Sequence, residues 1–124
     1  MLTTRQILFI AALIGLAQPL VAEELPVPTW DDVQPVFELR CTRCHSTLGA
    51  AKGLQLDSYE AVIAGSEDGV VVIAGDVIGS EMLRRIRGES TPRMPFLSVP
   101  LPDDEADLIT RWVAGGVLRG ASER

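Results

Sequence analysis

Cys41-Thr42-Arg43-Cys44-His45 is the stretch of this chain whose residue types and spacing most narrowly specify a chemistry. Two thiols at i and i+3 of a helical turn lie on one face, roughly 5 to 6 Å apart. They are then placed to form thioethers with the two vinyl groups of a porphyrin, and Cys-x-x-Cys-His is the pattern of covalent haem attachment. The residue that follows can reach the iron, for which neutral imidazole is a common ligand. His45 is the only histidine, so a second histidine is not available for the opposite face.

The remaining candidates with a suitable electron pair are Met82 and Met94. Met94 lies between Pro92 and Pro95, in a stiff loop able to hold a thioether at low entropic cost. Met82 falls on the apolar side of a predicted helix, where methionine serves as a core filler. Methionine ligation raises the reduction potential. An iron with both faces occupied offers no open position for substrate, so the expectation is electron transfer without catalysis.

Other readings of the same residues remain open. Cys-x-x-Cys serves disulfide exchange in thioredoxin-like proteins, but the preceding strand and βαβ setting of that site are missing here. A haem-based sensor, in which a small ligand displaces Met94, is compatible with the sequence. So is a dedicated subunit role in which the haem relays electrons for a separate enzyme. Structural zinc is a weak alternative, because two cysteines and one histidine fall short of four ligands.

The elements that must position these groups are short. Thr29 can cap a helix over residues 30–40, with Asp31 and Asp32 in its first turn and Val33, Val36, Phe37 and Arg40 at helical spacing. This helix delivers the chain to Cys41. Residues 49–53 read as a loop, and residues 54–56 as a short extended piece. Asp57 and Ser58 start a small helix with Tyr59, Val62 and Ile63 on its apolar face and Gly65 as its stop. Residues 70–73 favour extended structure but are isolated, so a connector is expected. Ser80 is the predicted cap of a helix with Met82, Leu83 and Ile86 inward, closed by Gly88. Arg84, Arg85 and Arg87 are expected outward or towards a cofactor, and Arg93 joins them as a candidate propionate ligand. Leu54, Leu56, Ile86, Phe96 and Leu97 are candidates for lining a haem pocket. The last helix is predicted from Pro102, with an apolar stripe of Leu108, Ile109, Trp112 and Val113, and residues 117–124 as a loose tail.

Residues 1–22 resemble an exported protein's address. Residues 7–17 form an uninterrupted apolar or glycine run, followed by Gln18-Pro19 and a small residue at Ala22. The run is well short of the ~20 residues a bilayer span needs. Leu20 is an imperfect cleavage residue, which leaves an uncleaved anchor as an alternative. The expected division is a signal peptide over 1–22 and one domain over 23–124, placing the protein in the periplasm or otherwise outside the cytoplasm. With 17 acidic and 11 basic residues the chain carries net charge −6, and loss of the address would remove only Arg5 among them. Nucleic acid is therefore an improbable partner. A redox protein bearing a basic patch is a plausible one.

Taken in order, Cys41-Thr42-Arg43-Cys44-His45, Gly53-Leu54-Gln55-Leu56-Asp57-Ser58, Gly75-Asp76, Ser80 to Gly88, Arg93-Met94-Pro95 and Asp104-Glu105 through Trp112 resemble a class I single-haem cytochrome c, and more narrowly the planctomycete-type cytochrome c domains. The resemblance covers nearly all of residues 23–124. It implies an all-α small cytochrome c fold of three to five short helices around one covalent haem c, with first and last helices packed across each other. It also implies Cys41 and Cys44 as anchors, His45 as proximal ligand, Met94 as distal ligand, and an electron-carrying role outside the cytoplasm. Ala74, Val77 and Pro102 depart from the pattern at positions that bear on loop stiffness and capping rather than on iron.

Overall fold

A computed structural model describes residues 22–124. The predicted address over 1–22 therefore lies, apart from Ala22, outside the described residues. Among these, four α-helices and one very short hairpin make up the regular structure: α1 (Trp30–Arg40), β1 (His45–Ser46), β2 (Gly49–Ala50), α2 (Tyr59–Ala64), α3 (Glu81–Arg87) and α4 (Asp103–Ala114). Single 3-10 turns at Ala51–Gly53 and Ala121–Glu123 complete it. No helix among the described residues is long and apolar enough to cross a membrane.

Helix α1 begins where the Asp32 carboxylate turns back to accept the Thr29 N–H at 2.8 Å and the Thr29 hydroxyl at 3.0 Å. A carboxylate in the first turn also meets the positive end of the helix dipole. Apolar residues at 30, 33, 36 and 37 then give the helix one buried face, and Val33 and Phe37 are fully enclosed. Pro35 removes one helical donor, but it sits on the exposed side, where water can satisfy the freed carbonyl.

That face packs against α4. Phe37 meets Trp112 edge to face with centroids 6.0 Å apart, and Trp30 lies 5.5 Å from Phe37 and 5.9 Å from Trp112. Tyr59 adds its ring from α2 at 6.2 Å from Trp30. Burial of each such ring contributes about 1.5–3 kcal/mol, so this four-ring cluster anchors the crossing of the first and last helices. Arg40 closes its far end with a two-pronged ion pair to Glu105, both bonds 2.8 Å.

Four expectations require correction. Ser80 precedes α3 but does not cap it: its fully buried hydroxyl accepts the Ile73 N–H and donates to the Asp76 carbonyl, tying the preceding loop together. Ile63 is 41% exposed rather than on a buried face, because six residues of α2 bury little beyond Val62. Pro102 stands just before α4 as its cap residue rather than inside it. The tail is not loose at its start. Val117 is buried, its carbonyl accepts the Tyr59 hydroxyl, and the Leu118 carbonyl accepts both the Trp30 amide and the Trp112 indole N–H. Three donors at the aromatic cluster, on Trp30, Tyr59 and Trp112, find their acceptors in the tail.

Candidate haem site

The end of α1 builds the motif directly. Cys41 follows the last helical residue, its amide still bonded to the Phe37 carbonyl at 2.8 Å, and the chain continues as a turn in which both Cys44 and His45 amides donate to the Cys41 carbonyl at 3.1 Å. The two thiols are thus carried by one tight turn. Both cysteines are free, Cys41 half-buried and Cys44 exposed. Burial pushes the Cys41 thiol up to about 12, with the Glu105 carboxylate adding to the rise and Arg40 opposing it. Disulfide exchange requires an attacking thiolate, and Cys41 is a poor source of one at neutral pH.

His45 is buried, and its orientation is set by a partner that the sequence does not reveal. Lys52 and Gly53 take consecutive positive φ values of 59° and 67°, reversing the chain after the hairpin. Leu54 is thereby returned alongside the motif, and its carbonyl lies 3.1 Å from His45 Nδ1. The reversal is held by the Ala51 amide on the Cys44 carbonyl and by the Leu56 amide on the His45 carbonyl. A carbonyl accepts only, so Nδ1 carries the proton and Nε2 keeps its lone pair. Such a backbone partner is the usual means of orienting a metal-ligating imidazole. The donor set therefore fits a covalently held haem: two thiols on one turn, and an imidazole with Nε2 free to coordinate. Among the described residues no cluster of three or more histidine, cysteine or carboxylate groups offers a competing metal site.

Met94 is half-buried in the loop after α3, its amide donating to the Arg85 carbonyl at 3.0 Å. Met82 is buried in the core on α3, as expected of a filler. The loop after Met94 leaves Phe96 59% and Leu97 91% exposed, whereas Leu56 and Ile86 belong to the core and Leu54 packs at its edge. Three of the four arginines have protein partners. Arg84 and Arg85 pair with Glu81, Arg85 also reaches the Pro92 carbonyl, and Arg87 donates to the Val77 carbonyl. Arg93 runs its side chain beside Gly88. A groove of about 600 Å³ lies on the outer side of the motif between Leu39, Thr42, Arg43, Leu48 and Asp57. Neither His45 nor Met94 lines it.

Sequence reasoning offers Leu54 as an apolar lining residue rather than as the acceptor that orients His45, and does not assign Glu81 to the site. Leu54 acts through its main chain and leaves no side-chain signal. Glu81 four residues before Arg85 is a legible helical pair, but the sequence does not show that Ser90 joins it.

Residues 41–95 match the family described as planctomycete cytochrome C, a span that opens on the first cysteine and closes one residue past Met94. No curated protein and no solved structure matches the chain. Over residues 41–95 the chain is thus similar to a planctomycete-type cytochrome c domain, a similarity that implies haem c.

Proposed function

We propose that the protein is an exported, single-haem electron carrier in which Cys41 and Cys44 anchor the cofactor, His45 is the proximal iron ligand and Met94 the distal one. The observation that carries this reading is the bond between His45 Nδ1 and the Leu54 carbonyl, which leaves Nε2 as a ligand on the same turn as both thiols. The family match supports haem, and the single Cys-x-x-Cys-His motif supports a count of one.

When bound, the haem iron supplies a one-electron couple that exchanges with a docked redox protein. The chain's own residues hold and tune it. His45 is fixed in one tautomer by Leu54, and Met94 is delivered by a loop bonded to α3. Phe96 and Leu97 present apolar surface of the kind a porphyrin covers. His45 and Met94 together would hold the iron and leave it no open place for substrate, which supports a carrier rather than an enzyme. The acidic balance of the chain suits a partner with a basic docking patch. The apolar run over residues 7–17 supports export.

A redox titration of the purified holoprotein tests the carrier reading against the sensor reading. A single one-electron wave, with no carbon monoxide bound by the reduced protein at neutral pH, is the expected result. Ready carbon monoxide binding would replace the carrier with a sensor whose Met94 is displaceable.

A further inference from the structure

The loop carrying Met94 is gripped by one carboxylate. Glu81, the first residue of α3, accepts from Arg85 Nε at 2.7 Å and from the Ser90 hydroxyl at 2.6 Å through the same oxygen, Oε1. Its other oxygen accepts from Arg84 at 3.2 Å. Arg85, so oriented, extends its guanidinium to the Pro92 carbonyl at 3.3 Å. The main chain of the same helical turn completes the grip. The Arg84 carbonyl accepts the Glu89 and Ser90 amides, and the Arg85 carbonyl accepts the Met94 amide. Residues 88–94 thus fold back over the end of α3, with Glu81 linking the helix to both the start and the middle of the loop.

We infer that Glu81 is a positioning residue for Met94: by holding Arg85 and Ser90 together it keeps the loop closed, and so sets how readily Met94 yields its place on the iron to another ligand. This rests on the assignment of Met94 as distal ligand. A loop that must open before an external ligand can bind adds its opening free energy to that ligand's apparent affinity. Hydrogen bonds to a charged group are the strong members of such a network. The carboxyl of Glu81 is held below the usual carboxylate range by the Ser90 hydroxyl first and by Arg85 second, consistent with a charged hub.

The test is imidazole binding to the oxidised holoprotein, followed by absorbance, in the parent protein and in Glu81→Ala, Ser90→Ala, Asp32→Ala and Met94→Ala. Asp32→Ala removes a comparable first-turn carboxylate from α1, away from the loop, and controls for lost stability. The expected result is that imidazole binds about tenfold more tightly to Glu81→Ala, and more tightly by a smaller factor to Ser90→Ala, with Asp32→Ala unchanged. Unchanged affinity in Glu81→Ala, or an equal rise in Asp32→Ala, overturns the positioning role while leaving Met94 as ligand. Affinity unaltered by Met94→Ala overturns the ligand assignment and the positioning role together, so the two failures are distinguishable.

Discussion

His45 Nδ1 sits 3.1 Å from the carbonyl oxygen of Leu54, a contact across nine residues that leaves Nε2 as the ring nitrogen with a lone pair. The turn at Lys52-Gly53 brings Leu54 back to it, with both residues in left-handed backbone that only glycine tolerates without cost. The Nδ1 proton is therefore expected to exchange slowly with solvent in the reduced holoprotein. Proton NMR during transfer to deuterated water checks this: a persistent His45 ring N–H signal is predicted, and its immediate loss contradicts the bond.

Trp112 is fully buried at the α1–α4 crossing and donates its indole N–H to the Leu118 carbonyl at 2.9 Å. Trp112→Phe keeps much of the ring but removes one of the two donors on that carbonyl, which still accepts the Trp30 amide, and should lower stability by about 0.5–1.5 kcal/mol. Trp112→Ala also leaves a cavity and should cost about 3–5 kcal/mol. Urea unfolding of the holoprotein measures both. Equal losses in the two variants would show that the ring's volume at the crossing contributes little.

Gly65 stops α2 at φ +82°, and a Cβ there would stand 2.5 Å from the Gly69 carbonyl oxygen and 2.9 Å from the Val70 Cα. Backbone atoms on both counts leave no flexible neighbour to yield. Gly65→Ala should destabilise the holoprotein by at least about 1–3 kcal/mol from the strained dihedral alone. Gly120→Ala, with open space at its Cβ and no positive φ, should be close to neutral in the same unfolding measurement.

Asp32 and Glu81 are both held below the ordinary carboxylate range, Asp32 chiefly by the Thr29 backbone N–H and Glu81 chiefly by the Ser90 hydroxyl. A depressed folded-state value means that the stabilisation is fully present above the unfolded value near about pH 4. It is lost as pH falls through the lower folded values. The parent should therefore lose stability more steeply than Asp32→Asn or Glu81→Gln between about pH 4 and pH 2. Urea midpoints across that range check the sign, and parallel profiles would show that neither carboxylate is coupled to folding.

Much of the helical frame was legible because it rests on local signals. Val33, Val36 and Phe37 repeat at helical spacing, Ser58 caps α2 by accepting the Ala61 amide, and Gly88 ends α3 at φ +76°. What escaped was decided by contacts distant in sequence. Ser80 has the residue type of a cap, yet its hydroxyl is itself fully buried and bonds to the Ile73 amide and the Asp76 carbonyl of the preceding loop. The start of the tail looked featureless, but Trp30, Tyr59 and Trp112 all bring donors to its carbonyls. In the site, the motif is local and was read directly. The acceptor that orients His45 is a main-chain oxygen, and Ser90 joins Glu81 only when the loop folds back over α3.

The central claim, a haem held between His45 and Met94, is tested most directly by absorbance spectra of the holoprotein, oxidised and reduced, beside those of Met94→Ala, both produced with haem-attachment machinery. Sharp reduced c-type bands are predicted in the parent. A weak sulfur-to-iron charge-transfer band at the red edge of its oxidised spectrum should vanish in Met94→Ala. A haem spectrum indifferent to the substitution would contradict the distal assignment and direct the same experiment to Met82, and a protein without haem bands would contradict the account as a whole.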